Sequence, residues 1–333
     1  MNHPPIRLGT RGSALALAQA EAIAKVVEDT GLAEATIVPI KTSGPDQTGR
    51  SAERPRTTGG DKSRFVREIE RALLDREVDL GVHSAKDLPS ELPEGLEIAG
   101  VPARETAGDA YVGDAGSLDQ VAEGARIGTS SLRRRAQLVA LRPDLEVVEL
   151  HGNVDTRLRR LEAGDFDGLV LAAAGLRRLG REAEIAFEFD PDRLTPAPGQ
   201  GALALEARSE DSAACTAAET LTDRDALATL HAERAVVAAL EASCNTPLAA
   251  FATLDDGRMR VRGFCGLPDG SEWLRDEVED DASDPEGIGR ALAERMSAAG
   301  AGEILRRAEG VAQHETGRSS DIKRVAPGRS ALE

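Results

Sequence analysis

The chain has 333 residues, 41% hydrophobic and only 2% aromatic, which gives room for two or three domains with cores of Ala, Val, Leu and Ile. With 58 acids against 41 bases the net charge is −17, which argues against nucleic acid as the main partner, because phosphate binding needs a basic surface. No apolar run approaches the roughly 20 residues of a membrane span.

Met1-Asn2-His3-Pro4-Pro5 lacks the basic start and apolar stretch of a signal peptide, so the expectation is a soluble cytoplasmic protein. Lysine occurs only at Lys25, Lys41, Lys62, Lys86 and Lys323. An acidic, lysine-poor surface of this halophilic kind suits a high-salt cytoplasm, where screening lengths fall to about 3 Å at 1 M salt. Three cysteines, Cys215, Cys244 and Cys265, argue against a disulfide framework, and their spacing matches no zinc pattern, so no metal is expected.

Ile6 to Thr10 reads as a strand running into Gly9-Thr10-Arg11-Gly12-Ser13. A helix follows with Leu15, Ala18, Ala22 and Val26 at helical spacing, closed by Gly31. Ala35 to Ile40 is the next strand, making a parallel βαβ unit. Thr42 to Asp61 is a long polar segment, the length and composition of a lid or a disordered loop. A helix carrying Phe65, Val66, Ile69 and Leu73 leads to the strand Leu80 to Val82. That strand ends in His83-Ser84-Ala85-Lys86-Asp87-Leu88 and is stopped by Pro89. Strand ends of this kind are where ligands sit in α/β proteins. Leu96 to Val101 is another strand.

From about Arg104 the pattern restarts. The strand Ala125 to Gly128 precedes Thr129-Ser130-Ser131 and a helix opening with Arg133-Arg134-Arg135. Glu146 to Leu150 precedes His151-Gly152-Asn153-Val154-Asp155-Thr156 and a helix with Arg157 and Arg160. Leu169 to Ala172 precedes Ala174 to Leu179, with Arg177 and Arg178. Gly9-Thr10 with Ser13 and Gly128-Thr129 with Ser131 look like counterparts in two doubly wound halves that share a cleft. Chance recurrence of common turn and cap residues is the competing reading.

Pro196-Ala197-Pro198-Gly199-Gln200-Gly201 is a stiff crossing before an alternating strand, Ala202 to Ala207, that is placed to return to the first half. Arg224 to Leu240 is an Ala-rich helix. Phe251 to Leu254, Arg258 to Phe264 and Trp273 to Val278 read as a small antiparallel sheet, with a hairpin at Asp255-Asp256-Gly257 and a covering helix, Gly287 to Ala298. The tail after Val311 is polar and is expected to be loose.

Three sites stand out. Helix N-termini attract anions, and arginine grips a carboxylate with two hydrogen bonds. One arginine cluster reads as solvated charge, but three, at Arg11, Arg133-Arg134 and Arg157, favour a polyanion site. Asp87 fits a general acid or a carboxylate stabilising a cation, although from position alone an ion pair with Lys86 is the simpler reading. Cys244 lies between a helix and a turn. With His231 as the nearest histidine in sequence, a nucleophilic cysteine is poorly supported, and an inert small hydrophobe is the usual state of a free cysteine. Cys215 and Cys265 are read in that inert way.

Taken together, these stretches resemble the porphobilinogen deaminase (hydroxymethylbilane synthase) family. The matching residues run in order: Thr10-Arg11 with Ser13, Lys62 with Phe65-Val66, His83-Ser84 with Lys86-Asp87 and Pro89, Gly128 to Arg134, Gly152-Asn153-Val154 with Thr156-Arg157, Ala174-Gly175-Leu176 with Arg178-Leu179-Gly180, Gly199-Gln200-Gly201-Ala202, and Cys244 with Pro247. The resemblance implies an α/β fold of two periplasmic-binding-protein-like doubly wound lobes with a small α+β C-terminal domain. The expected bounds are 1–103 plus 200–220 for a discontinuous first lobe, 104–199 for the second, and 221–333 for a cofactor-anchoring domain with its tail. It implies a transferase that joins four porphobilinogen molecules head to tail, releasing ammonia, in tetrapyrrole (haem or corrinoid) biosynthesis. A dipyrromethane primer would be attached to Cys244 through a thioether. Asp87 would take the catalytic role. Arg11, Lys86, Arg133, Arg134, Arg157 and Arg178 would hold the acetate and propionate groups, with Ser13, Lys62, Ser84, Thr129, Ser130, Ser131, His151 and Gln200 also in the binding set. A monomer without nucleic-acid or membrane partners is expected. His151 stands where the family typically has arginine. Asp61, Ser63 and Arg64 around Lys62, and Ala242-Ser243 beside the cysteine, replace glycines. The rival from another class is a non-catalytic two-lobed binder of small organic anions, which needs neither Asp87 nor Cys244.

Overall fold

The computed structural model describes residues 5–40, 61–242 and 246–310, the first four positions of the second stretch by backbone alone. The long polar segment before the second helix and the tail after Val311 lie outside the described residues.

The first sheet is built from β1 (Ile6–Arg11), β2 (Ala35–Ile40), β3 (Leu80–Ser84), β4 (Leu96–Gly100) and β10 (Leu203–Arg208), in the order β2-β1-β3-β10-β4. The strands β1, β2 and β3 are parallel, and β10 is antiparallel to both its neighbours. Thus the chain does return to the first half after the Pro196 crossing. Helices α1 (Ala14–Asp29) and α2 (Asp61–Leu74) are the βαβ crossovers. The helix α1 ends at Asp29, with Gly31 in the left-handed region at φ +69°, as its closing role requires.

The second sheet comprises β5 (Asp109–Gly113), β6 (Arg126–Gly128), β7 (Glu146–Val148), β8 (Gly168–Ala172) and β9 (Phe187–Glu188), in the order β7-β6-β8-β5-β9. Its helices are α3 (Leu132–Leu141), α4 (Val154–Glu162) and α5 (Ala173–Arg178). The two sheets share one plan. Each has three parallel strands, then an antiparallel strand that has crossed from the other half, then an edge strand. In this plan β1 and β6 are equivalent, which bears out the Gly-Thr and Ser correspondence. Ser13 caps α1 by accepting from Ala16 N, and Ser131 caps α3 by accepting from Arg134 N.

The two crossings lie side by side. A Cβ added to Gly201 (φ +87°) would fall 2.3 Å from Glu105 O and 2.5 Å from Thr106 O, so only glycine admits this approach.

The last region holds α6 (Ser212–Thr220), α7 (Arg224–Ala239), a three-stranded antiparallel sheet of β11 (Leu248–Asp255), β12 (Arg258–Gly266) and β13 (Trp273–Asp281), and α8 (Pro285–Ala298). The helix α6 packs on the first lobe, through Ala214, Ala218 and Leu221. Asp256 and Gly257, at φ +45° and +75°, make the expected hairpin turn. Val236, Val261, Leu292, Met296 and Ile304 form one core between α7, the sheet, α8 and a further helix at 301–310. The expectations missed β5, β9, α6 and this last helix.

Candidate active site

β1 delivers Arg11, whose guanidinium carbon lies 3.9 Å from the ring centroid of Phe65 on α2. Its Nε is buried without a hydrogen-bond partner among the described residues. β3 ends at Ser84 and enters a single 3-10 turn, Ala85–Asp87, with Lys86 and Asp87 half-buried. The crossing supports this turn from beneath. Ala202 O accepts from Ala85 N, and a Cβ on Gly199 (φ +70°) would meet Ala85 C and Lys86 N at 3.0 Å. Lys86 Nζ donates to Gln200 Oε1 at 3.2 Å.

Gln200 is 1% exposed and joins the halves. Its Nε2 donates to Ala107 O (2.7 Å) and to Asp109 Oδ1 (2.8 Å), while its Oε1 also accepts from Arg134 at 3.4 Å. Asp109 is fully buried at the start of β5 and takes Arg133 at 2.8 Å and Arg134 at 2.7 Å. Burial alone would raise its pKa, but Arg133, Arg134 and the bond from Gln200 hold the carboxyl down at about 2. Arg134 therefore does grip a carboxylate through two donors, Nε and Nη2 on Oδ1, with Arg133 ion-paired to Oδ2, and the carboxylate is the chain's own. Arg133 also donates to Thr195 O and Arg134 to Val170 O; Arg133 Nε is buried without a hydrogen-bond partner.

The hydroxyls of this half act on the protein as well. Thr129, 3% exposed, accepts from Ser131 N, and Ser131 caps α3. Ser130 accepts from Arg157 Nη2 at 3.0 Å, and Gly152 O accepts from Arg157 Nε at 2.8 Å. Arg178 Nη2 donates to Gly201 O at 2.7 Å. Among the described residues neither arginine makes a salt bridge. Burial, with Arg134 adding repulsion, lowers the Arg157 pKa to about 10. Burial lowers that of Arg178 too, against the pull of Glu105. Two desolvated cations without a carboxylate partner lack what such groups ordinarily need. An incoming carboxylate supplies it, so these residues fit a polyanionic ligand. The lobes meet here, Leu15 of α1 lying 3.6 Å from where Gly175 of α5 would carry a Cβ.

His151 faces outward, its side chain 76% exposed, with Nε2 2.8 Å from Glu149 Oε1. Cys244 and the side chain of Lys62 lie outside the described residues. The flanks of Cys244 are held. Glu241 turns out of α7 at φ +51°, and Thr246 donates to Glu309 of the last helix at 2.9 Å. The other thiols are inert. Cys265 is fully buried and pushed up to about 12, while Cys215 is pushed up by burial and by Glu97, whose carboxylate lies 3.6 Å from Sγ. Among the described residues, no group of His, Cys, Asp and Glu is arranged to hold a metal ion. No described helix is long and apolar enough to cross a membrane.

Sequence reasoning missed Asp109, Arg104 and Glu233. Glu233, fully buried on α7, accepts from both Arg104 end nitrogens (2.7 and 3.1 Å), from Gly199 N (2.6 Å) and from Ala252 N (2.9 Å). It fastens the C-terminal domain to both crossings, since Arg104 Nε also donates to Gln200 O. The available signal was its place as the one charged residue on the buried stripe Ala226, Thr229, Leu230, Glu233 and Val236. Asp109 carries no such signal, being one acid before a short apolar strand.

Residues 6–216 match the model of the porphobilinogen deaminase, dipyromethane cofactor binding domain, and residues 227–298 match the porphobilinogen deaminase, C-terminal domain. A porphobilinogen deaminase of Thermus thermophilus is 46% identical over 301 residues, covering 90% of this chain and 97% of that protein. One of Deinococcus radiodurans is 44% identical over 303 residues, with the same coverage. Among solved structures, a TRAP periplasmic solute binding protein from Desulfovibrio salexigens aligns at 12% identity and TM-score 0.38, over 66% of this chain and 72% of that one. Two family models in sequence order, with relatives above 40% identity along nearly their whole length, place this chain in the porphobilinogen deaminase family.

Proposed function

We propose that the chain joins four porphobilinogen molecules head to tail to hydroxymethylbilane, releasing one ammonia per unit, as a transferase of tetrapyrrole biosynthesis. The observation that carries this reading within the family is a set of half-buried arginines, Arg11, Arg157 and Arg178, that make no salt bridge among the described residues. Each pyrrole unit brings an acetate and a propionate, the anions such cations lack. Arg11, Lys86, Arg157 and Arg178 are assigned to hold them directly, with Ser13, Lys62, Ser84, Ser130 and His151 assisting. Arg133 and Arg134, steadied by Asp109, add positive field from beneath, and Thr129, Ser131 and Gln200 fix their frame.

Asp87 is assigned the proton work. A half-buried carboxyl beside Lys86 is placed to protonate the departing amine and then, as carboxylate, to stabilise the cation left on the substrate carbon. The family's cofactor is dipyrromethane. When bound, it supplies the pyrrole end to which the first substrate unit is joined. We assign its attachment to Cys244 by a thioether, as the family resemblance at Cys244 and Pro247 implies; Cys265 is buried and the thiol pKa of both Cys215 and Cys265 is raised.

The sheet plan supports a first lobe of 1–103 plus 200–220, a second of 104–199 and a C-terminal domain from 221. A cytoplasmic monomer without nucleic-acid or membrane partners belongs to the same reading. A non-catalytic binder of organic anions has no use for a tethering cysteine. Intact-protein mass spectrometry tests this. The added mass of a dipyrromethane, lost in Cys244→Ser, is expected. An unmodified thiol in protein that turns over porphobilinogen would refute the assignment.

A further inference from the structure

A second cluster of ionisable groups lies at the end of β3, just before the Lys86-Asp87 turn, and the chemistry above does not use it. His83 on β3 and Glu206 on β10 are 5% and 0% exposed, with Nε2 2.9 Å from Oε2. The space for this contact is built into the ladder. Glu206 stands opposite Gly81, and His83 opposite Ala204, so each large polar side chain faces a position with little or no side chain. A Cβ on Gly81 would lie 2.8 Å from His83 Nε2 and 2.8 Å from Ile69 Cγ2, so the imidazole fills the room that glycine leaves. Neither Glu206 oxygen nor His83 Nε2 reaches hydrogen-bond geometry with a described group. The contact is set by the packing of the ladder.

Two further groups face it. Glu70 of α2 is 4% exposed, and burial followed by the Glu206 charge raises its pKa, with Arg67 and His83 acting the other way. Arg234 of α7 loses basicity to burial and regains some from Glu206. Arg234 also donates to Pro89 O at 2.8 Å and to Ser90 O at 2.9 Å. The turn thus follows directly on the end of β3, where His83 packs on Glu206, and the chain just beyond it is held by Arg234 at Pro89 and Ser90.

We propose that Glu206 is a positioning residue for the reaction, acting through His83 at the end of β3 to fix the turn that carries Lys86 and Asp87. This rests on the catalytic reading of Asp87. An acid that must meet a departing amine depends on placement to fractions of an ångström, whereas carboxylate binding by the surrounding arginines does not run through this cluster. Lys86 rides on the same turn but is one of several cations on the substrate's carboxylates, so loss of the Glu206 carboxylate shows mainly in kcat and moves KM little.

The test uses the cofactor-loaded enzyme and porphobilinogen turnover in Glu206→Gln, His83→Gln and the double variant, with Asp87→Asn alongside. Glu206→Gln is expected to lower kcat at least tenfold with KM within threefold and the same loaded mass. His83→Gln alone is expected to lower kcat at least fivefold, yet to add less than twofold in the Glu206→Gln background. A Glu206→Gln kcat within twofold of the parent overturns the inference, as does a double variant whose loss is the product of the single losses. If Glu206→Gln does not fold, the double variant, which replaces both members of the contact, carries the test; a parental kcat there overturns the proposal. Normal turnover in Asp87→Asn overturns the catalytic reading and this inference with it. Lost turnover in Asp87→Asn with normal turnover in Glu206→Gln overturns this inference alone.

Discussion

Replacing Asp109 by asparagine keeps its shape and one acceptor oxygen but removes the charge between Arg133 and Arg134, which are 4% and 6% exposed. Two routes size the effect. A carboxyl held at about 2 instead of its ordinary 3.8 is worth roughly 2–3 kcal/mol to the folded state. Removing one partner of a buried ion pair costs about 3–5 kcal/mol, because the remaining charge is uncompensated. Asp109→Asn should therefore lose about 2–5 kcal/mol at pH 7, read as a lower urea midpoint with an unchanged slope. The pH dependence has a fixed sign. The folded-state pKa is depressed, so the stabilisation is complete above the ordinary value of 3.8 and is lost as pH falls toward about 2. The gap between parent and variant should be flat from about pH 8 to 5 and shrink between about pH 4 and 2. A loss below about 1 kcal/mol, or a gap that widens on acidification, would refute the argument that Asp109 is the counterion of this pair.

Gly201→Ala should destabilise by at least about 2 kcal/mol, since its methyl group meets two backbone oxygens of the opposite crossing at φ +87°; a Tm within about 2 °C of the parent would contradict that. Arg157→Gln should raise KM for porphobilinogen about tenfold, the worth of roughly one charge-assisted hydrogen bond, in steady-state assays; an unchanged KM would remove Arg157 from the binding set. With a net charge of −17, Tm should rise as KCl is increased from about 0.1 to 2 M while self-repulsion is screened. A flat or falling Tm would count against adaptation to salt.

Much of the fold was legible because its signals are local. Period-two strands, helical stripes and the Gly-Thr and Ser repeat marked both βαβ halves, and Asp255-Asp256-Gly257 marked the hairpin. The strand β5 was missed because its partners, β8 and β9, come 50 or more residues later, and nothing local distinguishes Asp109-Ala110-Tyr111 from a loop. The site was legible as a set of arginines, because arginine at a helix start opposes the helix dipole and calls for an anion. Which anion each meets was not legible. Arg133 and Arg134 look open in sequence but close on Asp109, some 25 residues away, whereas among the described residues Arg157 and Arg178 donate to hydroxyl and carbonyl oxygens. Glu206, Glu233 and Arg104 escaped for the same reason. Long-range pairing makes a buried acid tolerable, and a single acid in a sequence does not reveal its partner.

The central claim is that Asp87 handles the leaving amine at a site whose arginines only hold the substrate. Turnover of porphobilinogen by purified, cofactor-loaded Asp87→Asn tests it most directly, with ammonia release and hydroxymethylbilane formation as paired readouts. The account predicts a loss of about 10²–10⁴ in kcat, the usual contribution of a positioned acid–base group, with the added mass on Cys244 retained. Ammonia release within tenfold of the parent rate would contradict it.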